Sequence, residues 1–428
     1  MSETRIRAPR GTKDVLPSEV YKWNYVENLF RSVCNRFGYK EIRTPIFEET
    51  RLFQRGVGET TDIVQKEMYS FKDNGGREIT LKPEGTAPVV RSFIENKLYS
   101  EPQPTKLFYV TPCFRYERPQ AGRLRAFHQF GIEVFGTDDP SVDAEVISVA
   151  MCFFNELGLK DLELRINSIG CPDCRKRYNQ VLKEYLKEKL PNLCDTCKDR
   201  YERNPMRVID CKVESCKKEL KDIPWMLDYI CDTCKEDFEK LKESLSLMGI
   251  DYLVDPSIVR GLDYYTKTAF EIVSNKIGAQ GTVCGGGRYD GLIEELGGPP
   301  TPGVGFGMGI ERLLLTLDNN EISIPKPKAL DVFIIAAEEN SRKEATRLLY
   351  QLREKGFSAD KDYMNKSMKA QFKTADRLNA AYAIIVGEDE LRRNAVLIKD
   401  MRTGEQTEVA LNDISVKLSD MLKSQNNE

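Results

Sequence analysis

Histidine is almost absent from this chain of 428 residues: His128 is the only one, a scarcity for which compositional drift is a sufficient account. No apolar run reaches the length that a bilayer-spanning helix needs, about 20 residues. No signal-peptide pattern opens the chain either, so a soluble, cytoplasmic location is expected. Charge of one sign is not in excess: 64 Lys and Arg against 67 Asp and Glu leave a formal net charge of −3. Bulk charge therefore neither supports nor excludes a nucleic-acid partner, which local basic patches would have to meet. Two familiar glycine signatures are missing. No Walker A loop occurs, and the run Gly305-Phe306-Gly307-Met308-Gly309-Ile310 puts isoleucine where GxGxxG would need its last glycine. The length suggests roughly three domains, or one large domain plus modules.

Cysteine is plentiful: of the twelve, eight crowd between Cys171 and Cys234. In a reducing cytosol these are not expected to be a disulfide framework. They occur as Cys171/Cys174, Cys194/Cys197, Cys211/Cys216 and Cys231/Cys234, in a charged, helix-forming stretch read as an inserted module over residues 171–247. Thiolates two residues apart can point at one ion. The two CDTC copies, Cys194/Cys197 and Cys231/Cys234, are the candidate ligands of one structural Zn2+, with free cysteines as the equal alternative.

The stretch Phe108 to Phe135 reads as a hairpin, two alternating strands joined by a loop that holds Arg118, Gln120, Arg123 and Arg125, with Pro119 and Gly122 as breakers. Period two puts Phe127, Gln129, Gly131 and Glu133 on one face of the second strand and His128, Phe130, Ile132 and Val134 on the other. One face is expected to be core and the other to carry chemistry, with Arg115 and Glu117 sharing a face of the first strand. Cationic side chains over a floor of Gln129 and Glu133 suit a phosphate-bearing ligand beside a smaller cationic one.

Before the hairpin come a helix from Ser18 stopped by Gly38, a strand from Tyr39 to Glu48 interrupted by Pro45, and a hairpin around Asn74-Gly75-Gly76. Glu84-Gly85-Thr86 follows at a strand-to-helix turn, where a carboxylate and a hydroxyl can hold an ammonium group, although such residues more often cap a helix. Beyond the insertion lie Arg260-Gly261-Leu262-Asp263-Tyr264-Tyr265, a close-approach loop Cys284 to Asp290 that includes Tyr289, and Gly303 to Gly309 leading into a helix with Arg312 in its first turn. Glycine at every second position, Gly305 and Gly307 among them, leaves room for a flat ligand, and Arg312 near a helix N-terminus suits a terminal phosphate. After the linker Ile324-Pro325-Lys326-Pro327-Lys328, alternating strands and helices predict a parallel sheet, with Lys361, Lys366, Lys369, Lys373 and Arg377 as its most basic stretch.

Phe114-Arg115-x-Glu117, the arginine loop and Phe127-His128-Gln129-Phe130-Gly131 together resemble motif 2 of class II aminoacyl-tRNA synthetases, most closely the histidyl-tRNA synthetase family. The opening Pro9 to Asp14 is similar to that family's start. The first helix with its strand and Pro45 resembles motif 1, Arg260 to Tyr265 the histidine-specific motif, and Gly303 to Arg312 motif 3. The resemblance covers the whole chain and implies an α/β fold. An α+β catalytic core (1–170 and 248–323), an antiparallel sheet flanked by helices, would be interrupted by the insertion and followed by an α/β anticodon-binding domain (329–428).

The family's activity, adenylation of L-histidine by ATP and transfer to tRNA(His), implies roles for these residues. Arg115 and Arg260 would act on the α-phosphate. Arg312, Glu117, Gly305 and Gly307 would join Arg115 in binding ATP with its Mg2+. Glu84, Gly85, Thr86, Gln129, Glu133, Tyr264, Tyr265 and Tyr289 would hold histidine together with both catalytic arginines. A homodimer is implied, and neither a membrane nor DNA as partner. The rival reading is a regulatory paralogue acting on ATP phosphoribosyltransferase, which usually lacks the anticodon domain and departs in the histidine motif; this chain retains both.

Overall fold

The structure is a computed structural model that describes residues 6–58, 61–276, 281–327 and 330–425 and divides into two compact units after Pro325. Lys328, at the end of the expected linker, and the extreme ends of the expected anticodon-binding domain lie outside the described residues. In the first unit α1 (Pro17–Arg36) precedes β1 (Lys40–Glu41), β2 (Phe47–Glu49), α2 (Thr50–Val57), β3 (Tyr69–Lys72), β4 (Glu78–Leu81) and α3 (Thr86–Glu95). The long hairpin of β5 (Thr105–Phe114) and β6 (Ala126–Phe135) leads to α4 (Pro140–Glu156) and β7 (Leu162–Ser168). Four helices, α5 (Pro172–Lys187), α6 (Asp195–Arg203), α7 (Glu214–Glu219) and α8 (Asp232–Leu247), then intervene before β8 (Leu253–Val254). The unit closes with β9 (Thr266–Ser274), β10 (Thr282–Arg288), α9 (Leu292–Glu295), β11 (Gly303–Gly309) and α10 (Ile310–Asn319).

Among the described residues the main sheet has eight strands in the order β1-β5-β6-β11-β10-β9-β7-β8, antiparallel except at its two outermost pairings. Its two faces follow from the alternation in β6. Phe130, Ile132 and Val134 turn into a core shared with α1 and α4, where Phe30 stacks on Phe130 at 4.4 Å between ring centroids and meets Phe153 edge-on at 5.3 Å. Truncating an aromatic packed this way costs about 3–5 kcal/mol. Gln129 and Glu133 are left on the opposite face, where the cavity lies. Helix ends obey local chemistry: Pro17 and Pro140 occupy first turns, Asp139 accepts the Ser141 N–H at 2.9 Å, and Gly38 takes φ +80° just past α1.

Two expectations change. The expected strand Tyr39 to Glu48 is split: β1 pairs with β5, and β2 joins β4 and β3 in a separate three-stranded sheet. Pro45 lies between the two pieces, where no ladder hydrogen bond is required of it. Cys284 to Arg288 belongs to a central strand, β10, flanked by β9 and β11, and not to a loop. Its glycines permit close approaches to both neighbours: a Cβ on Gly286 would lie 2.2 Å from the Gly305 carbonyl oxygen and one on Gly287 2.4 Å from that of Thr268.

The second unit comprises β12 (Val332–Ala336), α11 (Glu339–Glu354), β13 (Ala359–Lys361), α12 (Met368–Arg377), β14 (Tyr382–Val386), α13 (Glu388–Arg392), β15 (Ala395–Asp400), β16 (Gln406–Ala410) and α14 (Ile414–Gln425). Its sheet runs β13-β12-β14-β15-β16, with β12 parallel to both β13 and β14 as the strand–helix alternation requires, and antiparallel pairings beyond. Among the described residues no helix is long and apolar enough to cross a membrane.

Candidate active site

A cavity of about 510 Å³ lies over the polar face of the main sheet, and Arg115, Arg260 and Arg312 all line it, as do Glu84, Gln129 and the two tyrosines Tyr264 and Tyr265. These residues come from four separate stretches of sequence, brought together because β6, β11 and β10 are neighbours in the sheet. Arg115, just past β5, is fixed by its Nε donating to the Pro83 carbonyl at 2.7 Å and by its guanidinium 5.4 Å from the Phe127 ring centroid. Glu117 lies 3.8 Å from Arg115 Nη1 and 3.1 Å from Arg123 Nη1, so one carboxylate steadies two cations of the hairpin loop. Arg312, in the first turn of α10, donates from Nη1 to the Thr282 carbonyl at 2.8 Å. Burial and then the neighbouring Arg123 charge push its pKa down to about 10. Both costs would be relieved by a bound anion.

The floor is a hydrogen-bonded set centred on Glu133, which is 1% exposed. Thr86 Oγ1 donates to its Oε1 at 2.8 Å, Tyr109 OH donates to the same oxygen at 3.2 Å, and Tyr289 OH donates to Oε2. Burial outweighs these bonds and raises the Glu133 carboxyl to about 8. Gln129 Oε1 accepts the Gly85 N–H at 3.0 Å. Glu84, also buried and with its pKa raised by burial, accepts the N–H groups of Thr86 at 2.7 Å and Ala87 at 2.8 Å. It thus does the work of a helix cap while lining the cavity.

Arg260 forms the far wall. Its Nη1 meets Glu271 Oε1 at 2.6 Å, its guanidinium is 5.4 Å from the Tyr265 ring centroid, and its buried Nε has no hydrogen-bond partner among the described residues. Gly285 makes room for it, since a Cβ there would lie 2.5 Å from Arg260 Nη2. A buried cation with a spare donor is poised for an anion.

Four expected contacts, Gly85, Glu133, Tyr289 and Gly305, are not among the cavity's lining residues. Tyr289 sits beneath the floor, bonded to Glu133 and packed edge-on against Tyr264 at 5.5 Å, and is not among the cavity's lining residues. Gly305 is covered by Glu133, whose Oε2 would be 2.0 Å from a Cβ there, so its bare face receives a neighbouring side chain instead of opening on the cavity; Gly307 does line it, beside Gln129. The expected grouping of four cysteines is also corrected. Cys194 and Cys197 group with Cys211 and Cys216, whereas Cys231 and Cys234 group with Cys171 and Cys174. The two CDTC copies each start a helix, α6 and α8, and identical local starts say nothing about which chain segments topology brings together.

Several participants carry no motif. Tyr109 lies opposite Gly131 in the β5–β6 ladder, and that glycine admits its ring; the gap in the alternation at 131 was the available signal. Glu271, the partner of Arg260, looks like any strand glutamate. Glu311 accepts the His128 backbone N–H at 3.0 Å, tying β6 to the helix of Arg312. Asp210 and Lys212 reach the cavity from the insertion, which nothing in their local sequence announces.

The comparisons with known proteins agree with this geometry. Residues 11–313 match the family model for histidyl-tRNA synthetase and residues 331–421 that for an anticodon binding domain. The histidine–tRNA ligase of Thermoanaerobacter pseudethanolicus is 61% identical over 415 residues, 97% of this chain and 99% of the relative. That of Clostridioides difficile is also 61% identical, over 417 residues with the same coverage. The apo histidyl-tRNA synthetase structure from S. aureus superposes with a TM-score of 0.83 at 42% identity, covering 97% of this chain and all of that one. Relatives named as ligases match over nearly the full length, which favours the synthetase reading over the regulatory paralogue. The chain belongs to the histidyl-tRNA synthetase family, within the class II aminoacyl-tRNA synthetases.

Proposed function

We propose that the chain activates L-histidine with ATP and transfers the histidyl group to the 3′ end of tRNA(His). A histidine carboxylate oxygen attacks the α-phosphorus, the bond to the bridging oxygen breaks, and pyrophosphate leaves; a terminal ribose hydroxyl of tRNA then attacks the carbonyl carbon and AMP departs. The observation that carries this reading is the convergence of Arg115, Arg260 and Arg312 on one cavity whose floor offers carboxylates and tyrosines. Arg115 and Arg260 hold the α-phosphate, and Arg312 the γ-phosphate. Glu133 or Glu84 pairs the substrate ammonium, Gln129 and Thr86 assist, and Tyr264 and Tyr265 wall the imidazole while Tyr289 orients Glu133. The protein's contribution is position and preorganised charge, so the rate rests on these donors being in place beforehand.

Mg2+ accompanies ATP. Glu117, Glu271 and Glu311 line the cavity and present oxygen donors of the kind a hard cation takes, so they would share the ion with the phosphates. The ion would neutralise phosphate charge. Residues 118–125 meet the tRNA acceptor end, and the unit 329–428 the anticodon. The protein acts as a cytoplasmic homodimer, with the core divided as 1–170 and 248–323 around the insertion 171–247.

ATP–pyrophosphate exchange with each of the twenty amino acids, without tRNA, tests the reading. Exchange with histidine alone is expected. No exchange with any amino acid, in protein that still binds ATP, would overturn it.

A further inference from the structure

The insertion contains two cysteine clusters built alike. Cys171, Cys174, Cys231 and Cys234 form one, and Cys194, Cys197, Cys211 and Cys216 the other; within each, all four sulfurs lie within 4.8 Å of one another. None is in a disulfide. Sulfur separations of 3.5 Å for Cys171–Cys174 and 3.9 Å for Cys194–Cys211 are far beyond a disulfide bond of about 2.05 Å. They bracket the edge of a tetrahedron with arms of about 2.3 Å, the zinc–sulfur distance, whose corners are about 3.8 Å apart. A cluster of several irons would hold its thiolates farther apart.

Each cluster also receives a backbone hydrogen bond on sulfur, from Cys231 N to Cys174 Sγ at 3.1 Å and from Cys194 N to Cys216 Sγ at 3.2 Å. Such bonds orient metal-bound thiolates. Within the module's two short outer helices the only buried residue of α6 is Cys197 and that of α7 is Cys216, and the apolar burial around them comes from flanking residues such as Leu193, Val208 and Leu220. Short helices that bury nothing but a cysteine need a staple.

We propose that each cluster is a closed tetrathiolate zinc site and that the second ion holds the insertion against the Arg260 string. The first site joins the insertion's start, after Gly170, to its return at α8. The second lies between two ligands, Cys197 and Cys211, whose intervening chain grips the string repeatedly. Asn204 Nδ2 donates to Asp263 Oδ1 at 2.9 Å, and Arg207 Nη1 to the Arg260 carbonyl at 2.9 Å. Arg200 bridges the Arg207 carbonyl, at 3.1 Å, to Asp62, at 3.2 Å. Cys211 itself sits between Asp210 and Lys212, both of which line the active-site cavity. Losing that ion would free the segment that buttresses Arg260. The coupling rests on the histidine-activating reading; the two metal sites do not.

The test is metal analysis of the full chain, purified without chelating resin, which needs no substrate. Two zinc ions per chain without iron or acid-labile sulfide are expected; none, one, or iron in their place overturns the proposal. Cobalt substitution should give sulfur-to-cobalt charge-transfer bands and the intense visible bands of tetrahedral tetrathiolate, and their absence also counts against it. The double variant Cys194→Ser/Cys197→Ser should keep one zinc and lose about tenfold or more in histidine-dependent exchange, the usual scale for disturbing residues that steady a metal-organised site. Exchange equal to wild type with one zinc gone overturns the coupling. Should that variant not fold, chelation of the wild type decides: exchange lost with zinc and regained on adding zinc supports the coupling, and exchange unaffected by zinc loss refutes it.

Discussion

With Glu133, of the two candidate carboxylates, taken as the partner of the substrate ammonium, histidine binding should tighten steeply between about pH 6 and about pH 8, because that carboxyl must ionise to form the pair. With its carboxyl raised to about 8 by burial, about 1% of the empty protein carries the charged form near pH 6 and about half near pH 8. A ligand that requires the charged form has its dissociation constant divided by that fraction, so affinity should rise about 50-fold across the interval. Binding near pH 7 should release close to one proton. The sign for stability is opposite: a carboxyl whose folded pKa exceeds its unfolded value of about 4.3 stabilises the empty fold below that value, and this contribution is lost progressively as pH climbs through the folded value. Calorimetry of L-histidine binding in paired buffers of different ionisation enthalpy measures both affinity and proton release. The Glu133→Gln variant supplies the control, since the substrate's imidazole titrates equally in both proteins and divides out. The variant should bind more weakly at pH 8 and lose the steep dependence. Parallel wild-type and variant curves, or no proton released by the wild type, would refute the reasoning.

Arg260→Ala should lower ATP–pyrophosphate exchange by about 10²–10³-fold, the scale of removing one preorganised charge donor, with ATP affinity changed little by comparison; undiminished turnover removes the assigned role. Gly285→Ala should displace the Arg260 guanidinium, a flexible end that can yield, so exchange falls while the thermal midpoint holds; unchanged exchange would mean that the guanidinium position is not critical. Arg288→Ala leaves Asp143 charged and buried, after loss of Nε contacts at 3.1 and 3.2 Å between side chains only 1% and 2% exposed. The first unit should lose about 3–5 kcal/mol, read from urea unfolding, and a loss below about 1 kcal/mol would contradict the burial argument.

Where period and local chemistry decide the structure, the sequence was readable. The alternation along Ala126 to Phe135 separates Phe130 and Ile132 from Gln129 and Glu133, and the observed faces divide the same way. Gly38 marks the end of α1 by its own conformational preference. Where the reason for a residue lies in a distant segment, the sequence was mute or misleading. Gly285 to Gly287 resemble a loop because glycine is poor in strands, yet each is needed by a neighbour that arrives from elsewhere in the chain. Glu84 as cap and Glu84 as site residue cannot be told apart from its neighbours alone, and in the fold it does both. The cysteine partners are nested, first pair with last and second with third, an order set by how the insertion folds back on itself.

The glycines of β11 imply something about how this site can change over generations. Gly305 and Glu133, like Gly307 and Gln129, fill one volume from two strands. Neither member of a pair is free to drift alone: a methyl at 305 evicts the carboxylate, and a shorter residue at 133 leaves a void with nothing to occupy it. Each pair is in effect one heritable unit written in two distant places, and a lineage altering substrate preference here would have to cross an intermediate that is either overfilled or hollow. Such a valley protects the floor's chemistry.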